Sequence, residues 1–299
     1  MKVAILMSTY NGAAFLQQQI DSILAQQGDF SFTLWVRDDA SQDETTQILS
    51  RYAAQGKLHW YTGNNLKPAH SFYDLLLHCP GYDYYAFADQ DDYWEPNKLQ
   101  CAIDSIAGKT TPALACCNAQ LVDSSLNSLG RNVYRSAPPL DFYTVSIAGG
   151  ILGCTCVLNQ SLAQLLQAKG APGSIVMHDF YIALVCLLAG GEIHFDMTPH
   201  MKYRQHGNNV VGASGTKLAA LKNRFRSVTH RARVTVSEQA QSLVSQFPEL
   251  GTQQQKLWLR RLCSASLRNR FCIAVSRKTH YPNLNKSLTL RLAVFLGNR

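Results

Sequence analysis

Long hydrophobic runs are missing from this chain of 299 residues. Its longest apolar stretches, residues 145–158 and 180–191, fall short of the roughly 20 residues a spanning helix needs. The first is diluted by Ser, Gly and Thr, and the second stops at Glu192. The opening apolar run ends at Ser8, too short for the hydrophobic region of a signal peptide. These absences predict a cytoplasmic chain that is neither secreted nor membrane-spanning. CxxC pairs are missing too. Nine cysteines form an odd set without an export signal, which speaks against a disulfide framework. Cys116–Cys117 and Cys154-x-Cys156 have the wrong spacing for zinc, so most thiols are expected to be small core residues. Repeats, low-complexity tracts and the patterns of RNA-recognition, zinc-finger or helix-turn-helix modules are absent.

Charge is sparse but unevenly spread. Charged residues make up 16% of the chain, against 46% apolar, enough of the latter for a sizeable core. The net charge of +8 arises entirely near the C-terminus. Residues 1–216 hold 12 Lys/Arg against 18 Asp/Glu, whereas residues 217–299 hold 16 Lys/Arg against Glu238 and Glu249 alone. That asymmetry, with the Gly-rich stretch Gly212–Thr216, sets a boundary near 215. Two regions are expected, 1–215 and a basic helical 216–299.

The first region alternates strands and helices. Lys2–Met7 reads as a strand, followed by a helix with Phe15, Leu16, Ile20, Ile23 and Leu24 at helical spacing, ending at Gly28. Phe32–Val36 is a second strand. Ser41-x-x-Glu44 has the form of a capping box for a helix reaching Ala54. Leu58–Tyr61 is strand-like, Phe72–Leu77 helical, Tyr84–Ala88 an aromatic strand, and Pro96 opens a helix through Ile106. Leu114–Leu121 and Ile151–Leu158 read as strands, Ser161–Lys169 and His178–Ala189 as helices. The βαβ rhythm predicts an α/β fold with a doubly wound, mostly parallel sheet.

Polar residues cluster where strands end: Ser8–Asn11, Asp38-Asp39 and Asp89–Asp92. Ligands of open α/β sheets bind beyond the carboxyl ends of the strands. Carboxylates gathered there repel one another unless a cation or polar ligand compensates, and an all-oxygen set favours Mg²⁺ or Mn²⁺. A lone D-x-D is a weak signal, equally a solvated turn; its place after an apolar strand strengthens it.

The stretches Ser8-Thr9-Tyr10-Asn11-Gly12, Arg37–Asp43, Phe87–Trp94, Met177–Phe180 and Tyr203–Gly212 together resemble the inverting family 2 glycosyltransferases of the GT-A fold. They are most similar to the bacterial rhamnosyltransferase-like branch that builds surface polysaccharides such as O antigen or capsule. The resemblance covers residues 1–215 in order and spacing. It implies a metal-dependent transferase taking a sugar, favoured as L-rhamnose from dTDP-rhamnose, from a nucleotide diphosphate sugar to a polyprenyl-diphosphate-linked saccharide. By the same match Thr9 and Tyr10 hold the base, Asp39 accepts its ring N–H, Asn11 is a further nucleotide-sugar-binding residue, and Asp89 holds the ribose or sugar hydroxyls. Asp91 and His206 ligate Mg²⁺ or Mn²⁺, and Asp179 is the base that deprotonates the acceptor. Arg204 is read either as a diphosphate contact or as a surface arginine, Trp94 as a platform under the sugar or a core aromatic. Gly149-Gly150 and Gly153–Thr155 line the acceptor side or form a tightly packed strand. The role of Asp38 stays open. Lys67 departs from the pattern, since this branch usually has glycine there.

The basic region interleaves Lys217, Lys222, Arg224, Arg226, Arg231 and Arg233, then Arg260, Arg261, Arg268, Arg270 and Arg277, with apolar residues. These include Leu257, Trp258, Leu259, Leu262, Leu267, Phe271 and Ile273. Basic amphipathic helices of this kind lie on anionic membranes, so peripheral attachment to the inner face of the cell membrane is expected. Helices packed on the catalytic domain are the alternative. Other rivals are a UDP-sugar transferase, a hydrolase with paired carboxylates, a catalytically dead homologue, and a nucleic-acid binder using the tail. The last leaves the acidic strand ends unexplained, and nucleic acid is not expected as a partner.

Overall fold

The computed structural model describes residues 1–206, 234–279 and 284–297. The stretch 207–212 of the last motif, the Gly212–Thr216 linker, and Lys217 through Arg233 of the basic region lie outside the described residues. In chain order the elements are β1 (Lys2–Thr9), α1 (Ala13–Leu24), β2 (Ser31–Asp38), α2 (Thr45–Ala54), β3 (His59–Thr62), α3 (Lys67–His78), β4 (Tyr84–Ala88) and β5 (Tyr93–Trp94). Then come α4 (Lys98–Ile106), β6 (Ala113–Val122), β7 (Ser128–Asn132), α5 (Phe142–Ala148), β8 (Val157–Asn159), α6 (Gln160–Gln167), α7 (His178–Leu188) and β9 (Glu192–Arg204). The chain closes with α8 (Val236–Gln246), α9 (Gln253–Cys263), α10 (Leu267–Ala274) and α11 (Leu284–Leu296). They form two compact units: residues 1–137, 151–171 and 191–210, and residues 138–150, 172–190 and 211–299.

The first unit is a mixed α/β sheet ordered β3-β2-β1-β4-β8-β6-β9-β5, with β7 beside β6. The series β3-β2-β1-β4 is wholly parallel, as the βαβ rhythm predicts. β1 and β4 read as unbroken apolar runs because both faces of a parallel sheet are covered; Val3–Met7 and Tyr85–Ala88 are fully buried. Helix α1 turns Leu16, Ile20 and Ile23 inward, the apolar stripe of an amphipathic helix. Beyond β4 the regularity breaks. β8 runs antiparallel between β4 and β6, and β9 pairs with β6 in parallel across a bulge at Asn118.

Two local expectations are corrected. The strand expected over Ile151–Leu158 is confined to Val157–Asn159, because Gly153–Thr155 form a 3-10 turn. The Ser41–Glu44 capping box does not form: Ser41 Oγ donates to Asp38, and Asp43 accepts the Thr45 N–H at 3.0 Å. True capping boxes open α8 at Thr235/Glu238 and α9 at Thr252/Gln255, each reciprocal bond pair satisfying two helix-end donors.

The second unit crosses the boundary expected near 215. Helix α7 is buried along almost its whole length, including Phe180, Tyr181, Ile182, Leu184 and Val185, and a helix apolar all round must be covered on every side. Its partners within the unit come from α5 before it and from the C-terminal helices after it. Tyr181 Oη meets Gln246 Oε1 of α8. The Val176 N–H donates to Gln239 Oε1 at 2.8 Å. Trp258 Nε1 of α9 donates to Ser146 Oγ of α5 at 2.7 Å. Trp258, Leu259, Leu262 and Ile273, expected on a membrane-facing surface, are therefore core, at 1–6% exposure. Leu257, Leu267 and Phe271 are exposed.

Candidate functional site

The parallel register sets Thr9 opposite Asp38 and Met7 opposite Ala88. Three polar strand ends therefore emerge at one edge of the sheet. Asp38, whose role the sequence left open, organises the loops: it accepts from Thr9 Oγ1 at 3.2 Å, from the Ser41 N–H at 3.0 Å and from Ser41 Oγ. Asp39 pairs with Arg37 and accepts the N–H groups of Leu66 and Lys67 at 2.7 and 2.9 Å. Lys67 sits at φ +66°, a left-handed conformation that glycine adopts at no cost; its exposed side chain is compatible with solvent. Arg37 is a residue the sequence reading assigned no role. Buried at 3%, it also binds Asp74 at 3.0 Å and the Asn64 carbonyl at 2.9 Å.

Removing Asp39 strips a buried guanidinium of its closest anion, a change that typically costs about 3 kcal/mol or more. Asp39→Ala is expected to lower the urea midpoint at constant slope, and an unchanged midpoint would show that Asp74 alone satisfies Arg37.

Of the four residues expected around the nucleotide at these loops, Tyr10 and Asn11 are exposed, Tyr10 at 46%. Thr9 and Asp39 are buried, and Asn11 spends its Oδ1 on the Gln42 N–H at 2.7 Å. Gln90, between the two acidic residues of the D-x-D, was missed by the sequence reading. Its amide clasps the Tyr10 backbone from both sides, accepting the N–H at 2.9 Å and donating to the carbonyl at 3.1 Å. Gly12 makes room for it, since a Cβ there would meet Gln90 Oε1 at 2.0 Å.

After β4 the carboxylates separate by burial. Asp89 and Asp91 are partly exposed, whereas Asp92 is fully buried. Asp92 Oδ1 accepts the Arg204 N–H at 3.2 Å, and its Oδ2 is buried without a hydrogen-bond partner among the described residues. Burial, then the charges of Asp91 and Asp89, push its carboxyl well above the usual range. Ligand atoms of Asp89, Asp92 and Cys154 lie within 4.8 Å of one another. Burial and the same carboxylates hold the Cys154 thiol protonated, pushing it far up. Lys98 is also fully buried, with Nζ 3.7 Å above the Trp94 ring. Trp94 itself is core at 1% exposure.

Asp91 and His206, expected as metal ligands, are brought together: Nε2 and Oδ2 are 2.7 Å apart, with both side chains under a fifth exposed. Carboxylates, an imidazole and one buried orphan oxygen, beside a thiol kept neutral, fit a hard divalent cation better than zinc or copper. Arg204 is corrected. It is fully buried. Its guanidinium donates to the carbonyls of Asp91 and Ser124 and to Gln18 Oε1, and stacks 4.4 Å from the Phe15 ring. It braces the Asp91 loop and presents no face to a diphosphate.

Asp179 occupies the first turn of α7, in the second unit, as expected of a residue at a helix start, and is partly exposed. Gly149 and Gly150 belong to that unit too, at φ +68° and +147°, where only glycine is unstrained. Gly153–Thr155 are buried in the first unit. Beside Asp179, His178 is 2% exposed, and burial lowers its pKa to about 3. An unfolded histidine titrates near 6.5, so below that pH the unfolded chain takes up the proton first. The contribution is complete above pH 6.5 and lost towards pH 3, about 1.4 kcal/mol per pH unit. Urea unfolding at pH 7, 6 and 5 should show a shallower pH slope for His178→Gln than for the wild type; equal slopes would exclude a neutral buried imidazole.

The glycosyl transferase family 2 model matches residues 4–158. A dTDP-rhamnosyl transferase of Shigella flexneri, RfbG, is 28% identical over 223 residues, spanning 70% of this chain and 74% of that protein. The fold superimposes on S. aureus TarS 1–349, solved with UDP-GlcNAc, at a TM-score of 0.55 and 16% identity, covering 99% of this chain and 90% of TarS. It likewise matches the mannosyltransferase PcManGT of Pyrobaculum calidifontis, solved with GDP-Man and Mn²⁺. There the TM-score is 0.52 at 16% identity, over 99% of this chain and 85% of that one. The likeness to these GT-A enzymes is one of fold.

Proposed function

The chain belongs to glycosyl transferase family 2, and from that premise we propose that it transfers L-rhamnose from dTDP-rhamnose, with inversion, to a polyprenyl-diphosphate-linked saccharide. The observation that carries the reading is the meeting of Asp91 and His206 beside Asp89 and Asp92, at the sheet edge where Tyr10 is exposed. The donor is supported by the likeness to the Shigella enzyme. Tyr10 stacks on the base. Asp39 keeps one acceptor position for the base N–H, since a carboxylate offers about four and three are filled. Asp89 binds donor hydroxyls, and Asp91 and His206 hold Mg²⁺ or Mn²⁺. That cation, when bound, supplies Lewis acidity to the departing diphosphate.

Asp179 accepts the proton of the acceptor hydroxyl. The hydroxyl oxygen forms the new bond to the anomeric carbon while the bond to the diphosphate breaks, its electron pair leaving with the nucleotide. The catalytic residues all precede 215, and the basic region beyond carries the protein to the inner face of the cell membrane, where a lipid-linked acceptor resides.

A panel of dTDP-rhamnose, dTDP-glucose, UDP-glucose, UDP-GlcNAc and GDP-mannose, each with Mg²⁺, tests the donor. The true donor at 100 times its Kd adds about 2.7 kcal/mol of stability, read as a rise in Tm. A rise with a UDP-sugar and none with dTDP-rhamnose would replace the donor and leave the family assignment standing.

A further inference from the structure

Two helices of the second unit expose apolar side chains at a repeat of four. On α10 and its C-terminal turn, Leu267, Phe271 and Val275 are 65, 55 and 53% exposed. On α11, Leu288, Leu292 and Leu296 are 57, 48 and 46% exposed. Residues four apart share a helix face, so each helix carries a continuous stripe. The stripes are not frayed ends. Ile273 on α10 and Leu290, Ala293 and Val294 on α11 are buried on the opposite side, and the rings of Phe271 and Phe295 meet edge to face at 6.5 Å. A folded pair of helices thus turns large apolar side chains to solvent, which monomeric soluble proteins rarely do over a contiguous patch.

Charge beside the stripes selects the partner. Between α9 and α10 lies a hollow of about 450 Å³ walled by Arg260, Arg261 and Arg268, with Ser266 and Asn269 offering further polar groups. No carboxylate pairs with these three arginines among the described residues. Residues 217–299 carry 16 Lys/Arg against two Glu. A second copy of so basic a surface would be repelled, whereas an anionic partner with an apolar interior is attracted by both features.

We propose that this face docks on an anionic lipid bilayer, the stripes Leu267/Phe271/Val275 and Leu288/Leu292/Leu296 entering the acyl boundary and the Arg260/Arg261/Arg268 hollow receiving a lipid phosphate. The inference deepens the membrane location proposed above and rests on it. It assigns insertion to particular residues: Leu267 and Phe271 from the set read in the sequence, joined by Val275, Leu288, Leu292 and Leu296, and not the buried Trp258, Leu259 and Leu262. Guanidinium forks pair with phosphate in a bidentate manner, and surface charge acts within a Debye length of about 10 Å at 0.1 M salt. The apolar contribution is not screened by salt, so binding should weaken but persist as salt rises.

The full-length protein is mixed with vesicles of phosphatidylcholine alone or with phosphatidylglycerol, and sedimented. The wild type is expected to bind the anionic vesicles at least tenfold more tightly than the neutral ones. Phe271→Ser/Leu288→Ser/Leu292→Ser should lose about tenfold in partition at every salt concentration. Arg260→Gln/Arg261→Gln/Arg268→Gln should lose binding mainly at low salt. Both variants alter exposed or half-buried side chains and should retain the wild-type Tm and transfer to a soluble acceptor analogue. As a readout that survives any folding defect of the triple variants, Leu292→Trp should be quenched by brominated lipid, whereas Ser50→Trp, on α2, should not.

Equal vesicle binding by wild type and stripe variant overturns the inference while membrane attachment by charge stands. No wild-type binding to anionic vesicles overturns both, and transfer to the soluble acceptor then shows that the transferase reading survives. A dimer that the stripe variant converts to monomer assigns the stripes to a second copy and overturns the bilayer. Salt-dependent RNA binding without vesicle binding overturns it in favour of nucleic acid.

Discussion

Asp179→Asn is expected to lower turnover by roughly two to four orders of magnitude, the usual worth of a positioned general base, while donor affinity stays nearly constant. The amide keeps the shape of the carboxylate and cannot take a proton at neutral pH. Asp179 lies in the first turn of α7, in an element whose burial depends on neighbours rather than on this side chain, so folding should be spared. Because the base acts on the acceptor, the nucleotide should still raise Tm as in the wild type. Single-turnover rates with saturating donor separate the two quantities. Retention of more than a tenth of wild-type turnover would move the base to another residue.

Asp91→Ala should abolish transfer, and chelation with EDTA should do the same to the wild type. Charge stabilisation at a departing diphosphate is worth several kcal/mol, and each 1.36 kcal/mol is about tenfold in rate. A loss of at least about 10³-fold follows. Restoration by added Mg²⁺ or Mn²⁺ is expected for the chelated wild type and not for the variant. Asp91 is bonded through its carboxylate to His206 and through its carbonyl to Arg204; truncation removes only the former, so the loop braced by Arg204 stays in place. Full activity in EDTA would falsify the metal reading.

The front half of the sheet was legible because its physics is local. β1 and β4 are unbroken apolar runs, α1 is a clean amphipathic stripe, and polar residues follow each strand at once. The meeting of Asp91 with His206 could be anticipated only through family resemblance, since 115 residues separate them. What failed had non-local causes. Arg204 carries the same charge whether it faces a phosphate or a ring of carbonyls, and only tertiary structure decides. Ser41 does not cap because α2 begins only at Thr45, whose N–H Asp43 accepts, while Ser41 Oγ donates to Asp38. Three acids stand in four residues at 89–92, and the pattern does not say that Asp92 is the buried one. Gln90 acts through an amide, which has no charge pattern to betray it. The basic region was read as a surface from composition, yet Trp258 is held inside by a hydroxyl 112 positions earlier.

The interleaving of the two units bears on how the chain can be made. A ribosome delivers α5 and α7 before any residue of α8 or α9 exists, yet Val176, Tyr181 and Ser146 take their partners from those later helices. During synthesis the apolar sides of α7 emerge uncovered for the time needed to add some 60 further residues, several seconds at typical elongation rates of about 5–20 residues per second. The nascent chain therefore passes through a stage at which it depends on chaperones or on rapid completion, and its solubility is decided at its last quarter. A gene shortened after residue 215 would freeze that stage permanently. The product would keep Asp89, Asp91, Asp179 and His206 and still be expected to aggregate, because α7 would lack the partners it takes from α8.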